Sequence, residues 1–385
     1  MSYFIKMVGF FIRKIKFFYS SSPLFRNFFS WFASTPLYFI IMKHKISSQI
    51  KKDQKGPFNL VIETSNFCNA RCLMCPYKTM KRVKKIMSDE IFEKIISRVK
   101  KEKLPINKVF FSGMGEPLTD PKLITRIAAV KKLGFPVRLY TNASLLTAAI
   151  SQKLVDSGVD EVNISFNGTN PQEYEKIMGL NFQKTVQNIN KLIEIKNPRP
   201  YGWSFRFLGI KHQSHSPRPF VQISSIVIEE NKKSIQKHLK SWQGKVDSVT
   251  VSLAHQWGGG VKISSKLKVK SSTREPEQEF GSGLPCTQRG TRAKLKKVYP
   301  CRSLWHTLVI DSRGNFVVCC RDYESKYVLG NVITHSFAAI HQSSILEKFR
   351  QLHLQHSFNK LPQMCQKCNF PYQGGGEWLM PRALD

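Results

Sequence analysis

FNLVIETSNFCNARCLMCP, residues 58–76, decides how the rest of the chain reads. Its first part, Phe58 to Glu63, is a short apolar run of the kind that forms a buried strand. The loop that follows places Cys68, Cys72 and Cys75 in a C-x3-C-x2-C spacing. Three thiolates on one tight loop can hold three irons of a cubane cluster and leave the fourth iron without a protein ligand; ordinary cluster ligation takes four cysteines. The spacing alone also fits a zinc knuckle with its fourth ligand elsewhere.

Downstream, strand-like runs start near residues 107, 137, 161, 221 and 246, which with the first makes six. Helical patterns alternate with them: Ser88 to Lys101 with Ser88 as N-cap, Asp120 to Leu133, Thr147 to Asp156, Pro171 to Met178, Phe182 to Ile195 and Asn231 to Trp242. This alternation implies right-handed βαβ crossovers and a parallel sheet covered by helices. Six such units fit a doubly wound sheet or an incomplete β/α barrel. In both, chemistry belongs at the C-terminal ends of the strands, where the cysteine loop stands. Pro198 to Pro219 reads as an inserted loop and Gly258 to Gly283 as a linker.

A second cysteine set lies near the C-terminus. Cys301 is followed by twelve residues, Gly314, four more residues and Cys319, and a C-x2-C pair stands at Cys365 and Cys368. Between them run a strand-like pair around Ser312-Arg313-Gly314 and a helical stretch from Ser336 to Leu354. Four cysteines from three chain positions can enclose one tetrahedral zinc or one fully ligated iron–sulfur cluster.

The cysteine loop after the first strand resembles the signature of the radical S-adenosylmethionine (SAM) superfamily, and the resemblance continues from strand to strand over roughly residues 57 to 255. Gly113-Met114-Gly115-Glu116-Pro117, after the second strand, is similar to the family's glycine–glycine–glutamate element for the methionine amino group. Thr141-Asn142 stands where the family often reads TN, and Ser165-Phe166-Asn167-Gly168 resembles a ribose-side pattern, with Asn167 in place of the usual acid. Met74 occupies a position before the third cysteine where many members carry an aromatic. The C-terminal segment resembles a SPASM domain or its shorter twitch form. The fold implied is a partial (β/α)6 TIM-like barrel followed by a small cysteine-rich β-hairpin/helix domain. The implied boundaries are 1–56 for a basic aromatic extension, 57–257 for the core, 258–298 for a linker and 299–385 for the cluster domain and tail.

The resemblance implies a 4Fe–4S cluster on Cys68, Cys72 and Cys75, S-adenosylmethionine held near Gly113, Met114, Gly115, Glu116, Asn142, Ser165 and Asn167, and one auxiliary 4Fe–4S cluster on Cys301, Cys319, Cys365 and Cys368. The activity implied is that of a radical SAM oxidoreductase or modifying enzyme acting on a peptide or protein, or on a sugar or envelope precursor. Of the nine cysteines, Cys286 and Cys320 remain. Cys320 reads as a buried thiol beside a ligand, able to exchange roles with Cys319. Cys286 reads as structural, with an extra cluster ligand or a hydrogen-atom donor as its functional alternatives. Asp322, Tyr323, His255 and the His212–His215 loop are acid–base candidates of low weight.

Composition frames these readings. The chain has 385 residues, 60 Lys+Arg against 26 Asp+Glu and a net charge of +34, with 41% apolar residues. That apolar share supports real cores and excludes a disordered tail, and nothing suggests a collagen, coiled coil or repeat array. The alternative function class is a zinc-binding, basic, nucleic-acid-binding module; it explains the charge but not the ordered strand-end motifs. Residues 1–56 carry ten Lys/Arg and one acid among many aromatics. The uncharged run from Asn27 to Met42 falls short of a membrane span, so the segment fits either peripheral contact with anionic lipid or packing on the protein itself. The expected location is cytoplasmic, and the expected electron donor is an acidic flavodoxin or ferredoxin.

Overall fold

A computed structural model describes residues 36–196, 219–254, 257, 260–261 and 300–368. Among the described residues nine strands form one sheet in the order β6-β5-β4-β3-β2-β1-β7-β8-β9. They are β1 (Phe58–Ile62), β2 (Ile106–Phe111), β3 (Val137–Thr141), β4 (Glu161–Ser165), β5 (Phe220–Val227), β6 (Ser248–Leu253), β7 (Thr307–Ile310), β8 (Asn315–Val317) and β9 (Val328–Asn331). β1 to β6 pair in sequence order and in parallel, which the βαβ rhythm predicts. Inward residues Leu60, Ile62, Val109, Phe111, Val137, Leu139, Val162, Ile164, Val221 and Ile223 form the spine of the main core. Ile91, Phe92, Ile95 and Val99 of helix Asp89–Lys101 pack against it at i, i+4 and i+8 spacing. Ser88 caps that helix by accepting from the Ile91 N–H, and Asp89 and Glu90 sit in its first turn.

The two cysteine-bearing parts share one sheet. β7, from the C-terminal segment, pairs in parallel with the free edge of β1, and β8 and β9 continue antiparallel from it. The turn pattern around Gly314 marks the hairpin but carries no sign of which edge it joins.

Several boundaries differ from the sequence expectation, each for a local reason. The helix expected over Asp120–Leu133 runs Leu123–Lys131, because Asp120 Oδ1 accepts from the Lys122 N–H and holds a turn there. The helix expected from Asn231 starts at Ile235, since the Asn231 side chain accepts from Ile228 N and donates to Ile226 O, tying the turn back to β5. The single helix expected over Ser336–Leu354 is two, Phe337–His341 and Ser344–Leu354, because Ser343 caps the second by accepting from Leu346 N.

The N-terminal region supplies an element that the sequence reading did not place. Residues 1–35 lie outside the described residues, but Pro36–Asp53 is a helix. Ile46 and Ile50 bury themselves in a second core with Leu304, Trp305, Val318, Leu346, Phe349 and Leu361. At its end the wholly buried Asp53 accepts from Arg302 Nε at 2.6 Å and Nη2 at 3.0 Å. Burial alone would raise the Asp53 carboxyl; hydrogen bonds from Arg302 and Gln49 and the Arg302 charge outweigh it and hold the group below its ordinary range. This helix therefore belongs to the packing of the C-terminal module. No described helix is long and apolar enough to cross a membrane.

Replacing Arg302 by Met removes both guanidinium hydrogen bonds and the positive charge from the buried Asp53 carboxylate, a loss of about 3–5 kcal/mol. Limited proteolysis of this variant should cut within residues 36–53 at least tenfold faster than in wild type. Equal cleavage rates would show that the helix is held by its apolar face alone.

Candidate active site

The cysteine loop is fastened on both flanks. Arg71 N donates to Met178 O and Leu73 N to Ile177 O, both at 2.9 Å, which pins the loop to the end of helix Pro171–Met178. Cys68 N donates to Tyr77 Oη at 2.8 Å, and Cys72 Sγ lies 3.7 Å from Met178 Sδ. All three thiols are partly buried and resist ionisation. Burial, then the charges of Glu116 and Cys75, push Cys68 up to about 11. Burial raises Cys72 further, with added repulsion from Cys75 and Cys68, and burial also raises Cys75. Thiols that oppose one another's ionisation in a shielded loop are a donor set for a cationic group that makes up the charge. Among the described residues no three His, Cys, Asp or Glu side chains form a group that could hold a single metal ion.

Glu63, the residue after β1, organises the floor of the site. Its carboxylate takes a two-point hydrogen bond from Arg82, Nη1 to Oε1 at 2.7 Å and Nη2 to Oε2 at 2.8 Å, with the two side chains 2% and 6% exposed. It also accepts from Met114 N at 2.8 Å and Ser312 N at 3.3 Å. Arg82 Nη1 reaches Ser325 Oγ at 3.1 Å and lies 3.7 Å from Asp311. Glu324 accepts from the Lys81 and Arg82 backbone N–H groups. Sequence reading missed this network. Its one signal was an acid closing an otherwise apolar strand; Arg82 sits in the basic run Lys78 to Lys85, which reads as a solvated face.

The Gly113-Met114-Gly115-Glu116 turn needs its glycines for close packing. A Cβ on Gly113 would stand 2.6 Å from Glu63 Oε2, and one on Gly115 would stand 2.5 Å from Phe67 O. Both make room for the protein's own Glu63 and for the backbone leading into Cys68. Glu116 N donates to Phe67 O at 2.7 Å, completing that contact. The Glu116 carboxylate is buried and accepts three hydrogen bonds: Leu118 N and Thr141 Oγ1 to Oε1, Asn142 N to Oε2. One acceptor position on Oε2 is left over. Burial pushes this carboxyl up to about 6 against those three bonds.

Asn142 joins the end of β3 to the cysteine loop. Its Nδ2 donates to Asn69 Oδ1 at 3.0 Å, and Asn69 Nδ2 donates to Ser144 Oγ at 2.8 Å. Asn167 is buried; its Oδ1 accepts from Ile226 N at 2.6 Å and its Nδ2 lies 3.2 Å from Met178 Sδ, so it braces β4 against β5. Ser165 stands in β4 opposite Ser224 of β5. Cys68, Cys72, Cys75, Gly113, Met114, Gly115, Glu116 and Asn142 thus converge on one strand-end locus, with Asn167 and Met178 at its side.

The second set assembles around the second core. Cys301, Cys319 and Cys365 pack against it, and Cys368 Sγ accepts from Arg321 Nη1 at 3.4 Å. Burial, then the charges of Cys368 and Asp322, push Cys365 up to about 12. Arg321 sets a positive charge against this cysteine set, facing Cys368, Cys320, Cys319 and Cys301. Cys320 is exposed, not the buried thiol expected beside its ligand neighbour, and the adjacent Cys319 and Cys320 shift each other's ionisation, Cys319 upward and Cys320 downward. Asp322 accepts from Lys326 N and Tyr327 N and shapes a turn, which makes it structural. Tyr323 packs on Gly260. Cys286, His212, His215 and His255 lie outside the described residues.

Comparison with known proteins agrees with this layout. Residues 62–219 match the family model of the Radical SAM superfamily, and residues 301–369 match that of SPASM, an iron–sulfur cluster-binding domain. The tungsten-containing aldehyde ferredoxin oxidoreductase cofactor-modifying protein of Pyrococcus furiosus is 26% identical over 178 residues, which is 46% of this chain and 45% of that protein. A probable GTP 3′,8-cyclase of Methanothermobacter marburgensis is 30% identical over 141 residues, 36% of this chain and 45% of that protein. The chain thus spans less than half the length of the curated relatives it matches. Among solved structures, anSMEcpe with bound AdoMet superposes with a TM-score of 0.55 at 16% identity, covering 84% of this chain and 95% of that one. SuiB of Streptococcus suis bound to precursor peptide SuiA also gives 0.55, at 15% identity, covering 88% and 76%.

Substituting Arg82 by Met strands the Glu63 carboxylate in the interior, a loss of about 3–5 kcal/mol. Thermal unfolding should start well below wild type, while Arg82→Lys, which keeps the charge but loses the two-point geometry, should fall between. Three coincident melting curves would contradict the role given to this pair.

Proposed function

We propose that this chain, which carries a radical SAM domain and a SPASM domain, is an enzyme that cleaves S-adenosylmethionine reductively and abstracts hydrogen from a bound substrate. Radical SAM proteins bind a 4Fe–4S cluster together with S-adenosylmethionine, and SPASM domains hold auxiliary iron–sulfur clusters. In this reading Cys68, Cys72 and Cys75 hold the first cluster. Cys301, Cys319, Cys365 and Cys368 hold one auxiliary 4Fe–4S cluster. When bound, the first cluster supplies one electron to the sulfonium and so generates a 5′-deoxyadenosyl radical.

The chain's own residues do the placing. The observation that carries the reading is the convergence of the three shielded thiols with the buried Glu116 carboxylate, whose remaining acceptor position suits an ammonium group. Asn142 fixes Glu116 through its backbone N–H and the cysteine loop through its side chain, so donor loop and ammonium site move as one body. Asn167, with its Oδ1 engaged by Ile226 N, contributes no charge beside the ribose. The backbone of the Gly113–Gly115 turn lines the same locus, and in this reading Ser165 at the end of β4 contacts the nucleoside side of S-adenosylmethionine.

The chemistry of the substrate follows from the surroundings less directly. A peptide or protein is the first choice, supported by the likeness to SuiB, which is bound to its precursor peptide. An anionic sugar or envelope precursor suits the +34 charge. Lys78, Lys81 and Lys85 are exposed beside the cysteine loop together with Val83 and Phe67, a basic rim with an apolar centre that suits an acidic one-electron donor such as a flavodoxin or ferredoxin.

The test is 5′-deoxyadenosine formation by anaerobic, reduced protein, combined with S-adenosylmethionine binding as a function of pH. Wild type should form the product and Cys72→Ala should not. A neutral acid offers an ammonium no charge, so wild-type affinity should rise as pH climbs through about 6 and Glu116 ionises. Glu116→Gln should bind more weakly with that rise removed. Product formation by Cys72→Ala, or an unchanged pH profile in Glu116→Gln, would overturn the assignment.

A further inference from the structure

Lys84 presents an ammonium group with no hydrogen-bond partner. Its Nζ is shielded from solvent, and no acceptor reaches it among the described residues. It lies 3.6 Å from the centroid of the Tyr77 ring, the ring whose Oη accepts from Cys68 N. The backbone on either side is clamped. Asn66 Nδ2 donates to Val83 O, Lys85 N donates to Asn66 Oδ1, and Ser65 bridges Ile86. The position of Lys84 is therefore tied to the strand of chain that runs from β1 into Cys68. Burial and the Arg82 charge lower its pKa, while Cys68, Glu324 and Glu63 pull the other way.

A shielded ammonium without an acceptor costs free energy, and the cation–π contact with Tyr77 offsets only part of it. Of the negative groups it faces, Glu63 is taken by Arg82, and Glu324 by the Lys81 and Arg82 backbone. The Tyr77 side chain that the ammonium covers also holds the Cys68 N–H, which puts the charge next to the start of the cysteine loop. Thiolate and sulfide sulfurs are weak acceptors that become good ones when they carry negative charge.

We infer that Lys84 is the internal cation of the first cluster site, a positioning residue whose charge stabilises the reduced, more negative form of the cluster held by Cys68, Cys72 and Cys75. The inference rests on the cluster assignment made above. The electron comes from an external one-electron donor protein; Lys84 neither gives nor takes one, and no bond forms or breaks at it. Removing a positive charge beside a centre that gains an electron makes reduction harder, so the midpoint potential should fall. The SPASM-side set has a cation in direct contact with a thiol, Arg321 Nη1 lying 3.4 Å from Cys368 Sγ.

The experiment is an EPR-monitored redox titration of reconstituted full-length protein in which Cys365 and Cys368 are changed to Ala, so that one cluster is read. Wild-type Lys84, Lys84→Met and Lys84→Arg are compared after iron and sulfide are measured on each. Lys84→Met should have a reduced-to-oxidised ratio about tenfold lower at a fixed potential, equivalent to a fall of about 59 mV for a one-electron couple. Lys84→Arg should recover most of the shift. A fully loaded Lys84→Met with the wild-type potential would refute the inference while leaving the cluster assignment intact. Absence of iron in the protein with Lys84 unchanged would instead bring down that assignment. If Lys84→Met takes up no iron, Lys84→Arg decides: loading with a near-wild-type potential supports the charge, and failure of Arg as well would mean that Lys84 only packs the loop.

Discussion

The two-point ion pair between Glu63 and Arg82 holds the architecture of the site together. Glu63 closes β1, takes the Met114 N–H of the glycine turn and the Ser312 N–H of the β7–β8 hairpin, and receives both guanidinium nitrogens from the segment that follows the cysteine loop. Four chain segments meet on one carboxylate. Such a pair contributes little net stability compared with apolar packing, because both charges lose their water. Its effect is geometric: each partner demands the other, and a loop displaced by an ångström would leave a charge unpaired. Gly113 is needed because that carboxylate occupies the space where a side chain would go.

The pair also explains how two cysteine sets distant in sequence come to share a framework. β7 pairs with β1, so the hairpin that leads to Cys319 extends the sheet that carries Cys68. Glu324, five residues beyond Cys319, accepts from the backbone of Lys81 and Arg82 just past Cys75. The second core, with helix Pro36–Asp53 sealed against it through Asp53 and Arg302, supports the second set from behind. Arg321 stands against the second set, and Lys84 packs on the ring whose hydroxyl holds the Cys68 N–H.

Much of this was legible in the chain. Short β-branched runs alternating with capped helices announce parallel order, and β1 to β6 follow it, with one face packed in the main core and the other carrying cross-strand polar pairs such as Asn163–Gln222 and Lys108–Glu161. The thiol set and Glu116 stood out because few residue types do that chemistry. Three things were hidden. The edge that β7 joins depends on long-range pairing that leaves no periodic trace. Glu63, Arg82 and Lys84 look like an ordinary strand end and a solvated basic run; only burial distinguishes them. Helix Pro36–Asp53 reads weakly because, among its described side chains, the buried apolar ones are Ile46 and Ile50, and its partner, Arg302, lies 249 residues away. The +34 charge was also ambiguous; Lys78, Lys81 and Lys85 are exposed beside the thiol loop.

The central claim is that the two thiol sets hold two separate iron–sulfur clusters, one of them with an iron open to S-adenosylmethionine. Mössbauer spectroscopy of anaerobically purified, iron-57-labelled protein, with iron and sulfide counted on the same sample, tests it directly. The account predicts about eight irons and eight sulfides per chain and the appearance, on adding S-adenosylmethionine, of one distinct iron site in half of the clusters. About four irons, stoichiometric zinc, or a spectrum that S-adenosylmethionine leaves unchanged would contradict it.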